Sequence, residues 1–389
     1  MRRGLSGYYE VTAAFGESVR AFVPHPLPPD PPLDLGGEIG ELMEAAAVAV
    51  GRLDGVSAVL PDPQRFIRSY VRKEAVLSSM IEGTQSSLSD LLLYELDAEP
   101  STPPEDAAEV SSYVAALDLG LARLDEGFPL SLRLVQEIHA VLLAHGRGSD
   151  KEPGEFKRSQ NWIGGTRPGN ARFVPTPPHL LLETLGAWEK FLHDEPARTR
   201  PLLKAALAHV QFETIHPFLD GNGRLGRLLI TFLLCSENVL RHPLLYLSLY
   251  FKQHRDRYYE LLQNVRLHGE WEEWLAFFFT GVRETADGAV ETARRLIALF
   301  DKDRALLRAE GGSGAAIFRL HDHLQTLPLT SAPRAAESIH ATLPTAIAAL
   351  RKLEALGIVR ELTGGNYRRT YAYTAYLDLL NEGTEPIAS

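Results

Sequence analysis

His216-Pro-Phe-Leu-Asp220-Gly-Asn222-Gly-Arg224-Leu-Gly-Arg227 puts a titratable base, a carboxylate, a glycine-rich turn and two arginines into twelve residues, then enters the apolar run Leu228-Leu-Ile-Thr-Phe-Leu-Leu. Gly221 and Gly223 permit backbone conformations in which successive N–H groups converge on an anion. The helix that follows points its positive end at the same spot. Arg224 and Arg227 are three apart and leave one helix face. Asp220 suits a divalent cation, because hard cations bound to phosphates need only one or two protein carboxylates. His216 exchanges a proton near neutral pH. The string describes a site for a metal-bound polyphosphate beside a general base. Each part alone has an ordinary structural use, as a cap, a turn or a solvated face. A plain turn between helices, however, needs neither His-Pro-Phe before it nor Arg-x-x-Arg after it.

The string resembles the Fic family signature, His-Pro-Phe-x-Asp/Glu-Gly-Asn-Gly-Arg-x-x-Arg, at every signature position. The resemblance implies an all-helical core and transfer of a nucleotide monophosphate, most often AMP from ATP, to a protein hydroxyl. Carried over by residue, His216 deprotonates a Ser, Thr or Tyr of the target and Asp220 holds Mg2+. Gly221 to Gly223 cradle the phosphates, the Asn222 side chain orients them, and Arg224 and Arg227 pair with the distal phosphates. Such a transfer needs positioning and charge neutralisation more than covalent help.

Residues 64–83 read as a helix, with Phe66, Ile67, Tyr70, Val71, Leu77 and Ile81 near helical spacing and Gly83 in the place of a C-terminal cap. Ser79-Met-Ile-Glu82 has the form of a capping box but falls at a helix end, where such a box does not belong. Ser78-Ser-Met-Ile-Glu82-Gly83 instead resembles the family's inhibitory motif. That likeness implies that Glu82 pairs with Arg227 and blocks the place of the terminal phosphate, which a carboxylate facing a phosphate-binding guanidinium does naturally. A third stretch, 156–175, reads as a hairpin around a Gly/Pro/Asn-rich turn. In Fic-like proteins such a flap docks the target as an added strand, and Ile163 and Gly164 are its expected contacts. Tyr258 and Tyr259 lie on a stretch resembling the helix that lines the nucleotide base, although paired tyrosines on a helix are commonly core. Trp271 and Trp274 read as packing residues, and Cys235 reads as buried.

The chain has 389 residues, a net charge of −10 and 45% hydrophobic residues, which fits a globular protein of two or three domains without a broad basic surface. One cysteine excludes a disulfide framework, and no run of roughly 20 apolar residues suggests a membrane span. A cytoplasmic setting is therefore expected. The expected fold is mainly α: a Fic-type helical bundle with a small β-hairpin flap, then a C-terminal winged-helix-like module. Residues 1–105 form the N-terminal segment, with a proline strap over 23–32 and the inhibitory helix. The core covers 106–309, with helices at 106–124, 130–144, 180–193, 201–215, 251–267, 270–280 and 282–309. Helices at 38–53 and 87–96 precede it, and a loop covers 100–104. Beyond the Gly-rich boundary 310–314, the module covers 313–380, with helices at 315–325, 332–340 and 344–356 and a two-stranded wing. Residues 313–377 hold seven Lys/Arg against four Asp/Glu, with Arg368 and Arg369 on the wing. The start of the third helix, Ala341-Thr-Leu-Pro-Thr345, is poor in groups that read base edges, so protein contact stands level with DNA binding.

The reading is thus an auto-inhibited adenylyltransferase using ATP and Mg2+ on a hydroxyl of a target protein, with a homodimer expected. Removal of AMP, transfer of another nucleotidyl or phosphoryl group, and a DNA-binding regulator with a nucleotide-sensing core are the alternatives.

Overall fold

The computed structural model describes residues 3–59, 63–96, 103–310, 314–363 and 369–385. The chain opens with a hairpin of β1 (Gly7–Ala14) and β2 (Glu17–Pro24), in register from Gly7↔Pro24 to Ala14↔Glu17. Its two-residue turn, Phe15-Gly16, has positive φ at both positions (52° and 79°), the arrangement whose twist suits a tight hairpin. The proline strap then follows the molecule's own surface. Arg3 donates to the carbonyls of Pro31 and Pro32, and Gln211 Nε2 donates to the carbonyl of His25 at 2.9 Å.

Helices dominate from there. They are α1 (Gly37–Val59), α2 (Pro63–Ile81), α3 (Leu88–Glu95), α4 (Pro104–Asp125), α5 (Leu132–Leu142), α6 (Pro178–Leu192), α7 (Pro201–Ile215) and α8 (Asn222–Ser236). Serines start two of them: Ser87 forms a capping box with Asp90, and Ser131 caps α5. Most of the expected loop at 100–104 lies outside the described residues. In α7 every side chain from Leu202 to Ile215 is buried. A helix buried on all faces is a central one, and α7 with α8 forms the spine that positions the site. Gly120 lets α4 approach α8, because a Cβ there would run into the Phe232 ring. Gly120→Val is expected to lower stability by about 1–3 kcal/mol through overpacking, measurable by denaturant unfolding.

The expected helix over 251–267 is two helices, α9 (Ser248–Gln253) and α10 (Arg255–His268), broken at His254. Conversely, the expected pair 270–280 and 282–309 is one helix of 39 residues, α11 (Trp271–Ala309). Gly281 suggested a break, at about 1 kcal/mol relative to alanine. In the fold it is a notch in an unbroken helix, where a Cβ would lie 2.5 Å from the Tyr250 ring. Trp274 is fully buried and donates to the Ala206 carbonyl at 3.0 Å.

The C-terminal part holds α12 (Ala315–Leu324), β3 (Leu329–Ser331), α13 (Ala332–Ser338), α14 (Leu343–Ala355), β4 (Arg360–Glu361), β5 (Thr370–Ala372) and α15 (Thr374–Asn381). The three expected helices are present. The expected two-stranded wing gains β3, giving an antiparallel sheet in the order β3-β5-β4. Arg368 and all of the expected turn beyond Thr363 lie outside the described residues. Not foreseen was α15, which docks on α2: Tyr376 Oη donates to Ser69 Oγ at 2.7 Å, and Lys73 Nζ donates to the Glu382 carbonyl at 2.6 Å. Among the described residues no helix is long and apolar enough to cross a membrane.

Candidate active site

The His216–Arg227 string folds as a turn between α7 and α8. His216 ends α7 in the left-handed region (φ 50°), its N–H donating to the Phe212 carbonyl at 2.9 Å. The reversal aims the following loop back over the N-terminus of α8, where Gly221 takes φ 76°. Several side chains outside the string hold this loop. Lys157 Nζ and Asn161 Nδ2 donate to the His216 carbonyl at 2.9 and 3.0 Å, and Asn161 also reaches the Phe218 carbonyl at 2.7 Å. His139 stacks on Phe218 with centroids 3.7 Å apart. Its Nδ1 accepts from the Gly154 N–H at 2.8 Å, so Nε2 carries the proton and donates to the Asp220 carbonyl at 3.0 Å. Burial pushes the His139 ring down to about 4 and keeps it neutral in this role.

Asn222 departs from its expected part. Its amide is buried and turned onto the loop itself, with Oδ1 accepting from the Phe218 N–H and Nδ2 donating to the Phe218 carbonyl, both at 2.9 Å. Its side chain therefore latches the turn and does not reach out to a ligand. Asn222→Ala would orphan the buried Phe218 N–H, while the carbonyl keeps Asn161. The expected loss is about 1–3 kcal/mol in denaturant unfolding.

Both arginines are buried and both face carboxylates. Arg224 Nη1 lies 2.9 Å from Glu109 Oε1, and its Nη2 lies 3.7 Å from Asp220 Oδ1. The Arg224–Glu109 contact is close but misaligned for a hydrogen bond, so it acts as a charge pairing. Arg227 is held three ways by the end of α2. Nε donates to Ser78 Oγ at 2.8 Å, and Nη2 donates to the Ser78 carbonyl at 2.9 Å and to Glu82 Oε1 at 2.8 Å. The Glu82 carboxylate also covers Gly223, where any Cβ would collide with it. It thus sits at the N-terminus of α8, where an anion is favoured. Burial opposes the charge of Glu82, but Arg227 first, then Arg224 and Arg147, hold its carboxyl below the usual range. Arg147 fixes the end of this segment by donating to the Glu82 carbonyl at 2.9 Å, and Gly83 turns the chain away with φ 99°.

His216 is neutral. Burial first, then the charges of Lys157 and Arg266, push it down to about 3. Asp220 is partly exposed, 31% for its side chain, and Oδ1 accepts from its neighbour Gly221 N–H at 2.6 Å. Among the described residues no group of three or more His, Cys, Asp or Glu converges on a metal position. A divalent ion at Asp220 would draw most of its ligands from phosphates and water, and the single half-open carboxylate fits that need.

The two tyrosines separate. Tyr258 is buried, with Oη hydrogen-bonded to His209 Nε2 at 2.9 Å and its ring stacked on Phe251 at 4.6 Å, so it belongs to the core and not to a base pocket. Tyr259 is only half-buried. The Arg255 guanidinium lies 5.3 Å from its ring centre, and Arg255 Nε donates to the Ile81 carbonyl, which places Tyr259 beside the end of α2. The expected flap is smaller than a hairpin. One antiparallel bridge joins Ile163 to Phe173, with a 3-10 turn at Pro168–Asn170 between them. The Val174 carbonyl faces the opposite edge and accepts from Phe22 of β2 at 2.8 Å. At the next position on the flap side Pro175 has no N–H and its carbonyl accepts from Gln160 Nε2 at 2.9 Å, so the pairing stops at one bridge. Ile163 is half-buried and Gly164 exposed, both within three residues of Asn161. Phe15, 68% exposed at the hairpin tip, meets Trp162 edge-on at 5.5 Å.

Sequence reading missed Glu109, His139, Arg147, Lys157, Asn161 and Glu213. Glu213 stands one turn before His216 on α7, just outside the signature, and the other five are brought in only by the packing of α4, α5 and the 146–161 loop around it. Cys235 stays outside the site with its thiol pushed up to about 12 by burial.

Known proteins resemble this chain over the same region. Residues 40–122 match the Fic/DOC family N-terminal description, and residues 129–234 match that of the Fic/DOC family. A protein adenylyltransferase Fic of Aedes aegypti is 35% identical over 159 residues, which cover 41% of this chain and 29% of that protein. Its Drosophila melanogaster counterpart is 31% identical over 179 residues, covering 45% of this chain and 33% of the relative. The chain thus spans about a third of the length of these curated relatives. In fold it is similar to a Fic family protein from Desulfovibrio desulfuricans G20, with TM-score 0.55 and 16% identity over 88% of this chain and 97% of that one. It is also similar to Fic-1 from C. elegans, with TM-score 0.53 and 21% identity over 67% and 74%.

Proposed function

Because the chain is a Fic family protein over residues 40–122 and 129–234, we propose that it transfers AMP from ATP to a Ser, Thr or Tyr hydroxyl of a target protein. The observation that carries this reading is the carboxylate of Glu82 seated on Gly223 and Arg227, an anion already in the cradle beside a neutral His216. Polyphosphate would take the place of that carboxylate, and the Arg227 fork would turn from Glu82 to a distal phosphate. Asp220 would hold Mg2+, whose chemistry is to neutralise phosphate charge. His216 takes the proton of the target hydroxyl. The freed oxygen bonds to the α-phosphorus, the bond between the α-phosphorus and its bridging oxygen breaks, and pyrophosphate leaves. Tyr259, beside the end of α2, would face the base, and Ile163 and Gly164 would present the target's backbone. Glu82 then acts as an inhibitor, since it and the nucleotide compete for Arg227.

The C-terminal part is accessory in this reading. The exposed start of α14 offers Leu343, at 47%, together with Thr342, Pro344 and Thr345, a surface suited to protein contact more than to base edges.

Purified protein given ATP labelled at the α- or γ-phosphate tests the proposal. Label retained only from the α position, stronger in Glu82→Gly and lost in His216→Ala, is the expected result. Retention from the γ position would make the protein a kinase. With folded variants and magnesium present, no retention from either label would sink AMP addition and direct attention to AMP removal.

A further inference from the structure

We propose that Glu213 is a positioning residue for His216, facing the imidazole from one turn back on α7 and supplying the counter-charge when the ring becomes protonated. The inference rests on His216 being the base of the proposed transfer. Glu213 Oε2 lies 4.0 Å from His216 Nδ1. Glu213 Oε1 is buried without a hydrogen-bond partner among the described residues, and His216 Nδ1 is buried with none of good geometry, although the Glu213 backbone also lies close enough to favour a proton on the ring. Buried polar atoms left unpaired are rare enough to call for an explanation. The space for the carboxyl is made by Gly226 of α8, whose Cβ would lie 2.5 Å from Glu213 Oε1.

The charges around the pair explain what such a carboxyl does. Lys157 reaches the His216 carbonyl, and Arg266 of α10 donates to the Glu213 carbonyl at 3.0 Å and to Thr214 Oγ1 at 3.1 Å. Both cations disfavour a protonated His216, yet a base must finish its step protonated. Glu213 is the one acid within ion-pair distance of His216 among the described residues. Facing Glu213 itself are Arg227 from α8, Glu82 from the end of α2 and Arg266. Burial raises its carboxyl to about 7, with Arg227 pulling down and Glu82 pushing up, so it ionises across neutral pH. When the target hydroxyl gives its proton to Nε2, the Nδ1–H points at the Glu213 carboxylate. Closing the gap by roughly 1 Å brings the two into hydrogen-bond range. No proton leaves the pair, and the base keeps one defined accepting nitrogen.

The test uses the Glu82→Gly protein with α-labelled ATP, from pH 5.5 to 8.5, with and without Glu213→Gln, together with 15N NMR of the His216 ring, assigned by its absence in His216→Asn. Glu213→Gln is expected to lower kcat by roughly 10–100-fold at the alkaline end, less than the roughly 10²–10⁴-fold of the general base it positions, and to leave KM for ATP little changed. In the parent, kcat should fall on the acid side near pH 7, and the ring-nitrogen signals should show an inflection there. Both features should vanish in Glu213→Gln. Superimposable profiles would overturn the proposal, and so would a uniform drop in kcat with the inflection intact, because that is a structural effect alone. If the parent retains no label at all, the transfer reading fails instead. The ring signals still decide whether Glu213 and His216 are coupled.

Discussion

His216→Ala is expected to lower AMP transfer by roughly 10²–10⁴-fold, the usual contribution of a positioned general base. The expectation rests on what the side chain does not do. It makes no hydrogen bond that holds the loop; the turn is fastened by the His216 backbone, through Phe212, Lys157 and Asn161. Truncation therefore removes the base and leaves the cradle. One correction is needed, because position 216 has φ 50°, which alanine tolerates less well than asparagine. His216→Asn should be as inactive as His216→Ala and more stable. Measured by label transfer and thermal unfolding in parallel, an active His216→Asn would remove His216 from the chemistry.

Glu82→Gly is expected to act in the opposite direction, raising transfer by roughly 10–100-fold. A hydrogen bond to a charged group contributes about 1.5–3 kcal/mol, and a nucleotide that must displace it is disfavoured by the corresponding factor. Arg227 keeps its two bonds to Ser78 in the variant, so the fold should lose little. Glu82→Gln separates charge from bulk. It keeps the shape over Gly223 but no longer opposes an anion, and its activity should fall between wild type and Glu82→Gly. ATP binding followed by calorimetry should tighten in the same order, and equal affinity in all three proteins would remove Glu82 from the competition.

The signature was legible because its chemistry is contiguous: the base, the carboxylate, the glycines and the arginines lie within one turn and one helix start. Most helices were legible from their apolar spacing, including the one that carries Ser78 and ends just before Glu82, whereas the break at His254, the continuity of α11 and the presence of α15 were not. Side chains that arrive from elsewhere were not. Glu109 and His139 reach the loop from α4 and α5 with no spacing rule to announce them. The Tyr258–Tyr259 pair shows why adjacency misleads on a helix. Neighbours point about 100° apart, so one tyrosine enters the core and the other faces the end of α2. The flap failed for a different reason. Past the Ile163–Phe173 bridge the next flap position is Pro175, which has no N–H to give and whose carbonyl is taken by the Gln160 side chain.

Glu82 and Arg227 belong to one chain, 145 residues apart in sequence and 2.8 Å apart in space. Their pairing is therefore an intramolecular equilibrium, and dilution does not weaken it. A tethered group of this kind behaves as a ligand present at an effective molarity, commonly in the millimolar range for short flexible tethers and higher when it is held rigidly. Here α2 and Ser78 hold the carboxylate rigidly in front of the guanidinium. Under the proposed function, raising the free nucleotide concentration would shift this balance, whereas dilution alone does not open the contact.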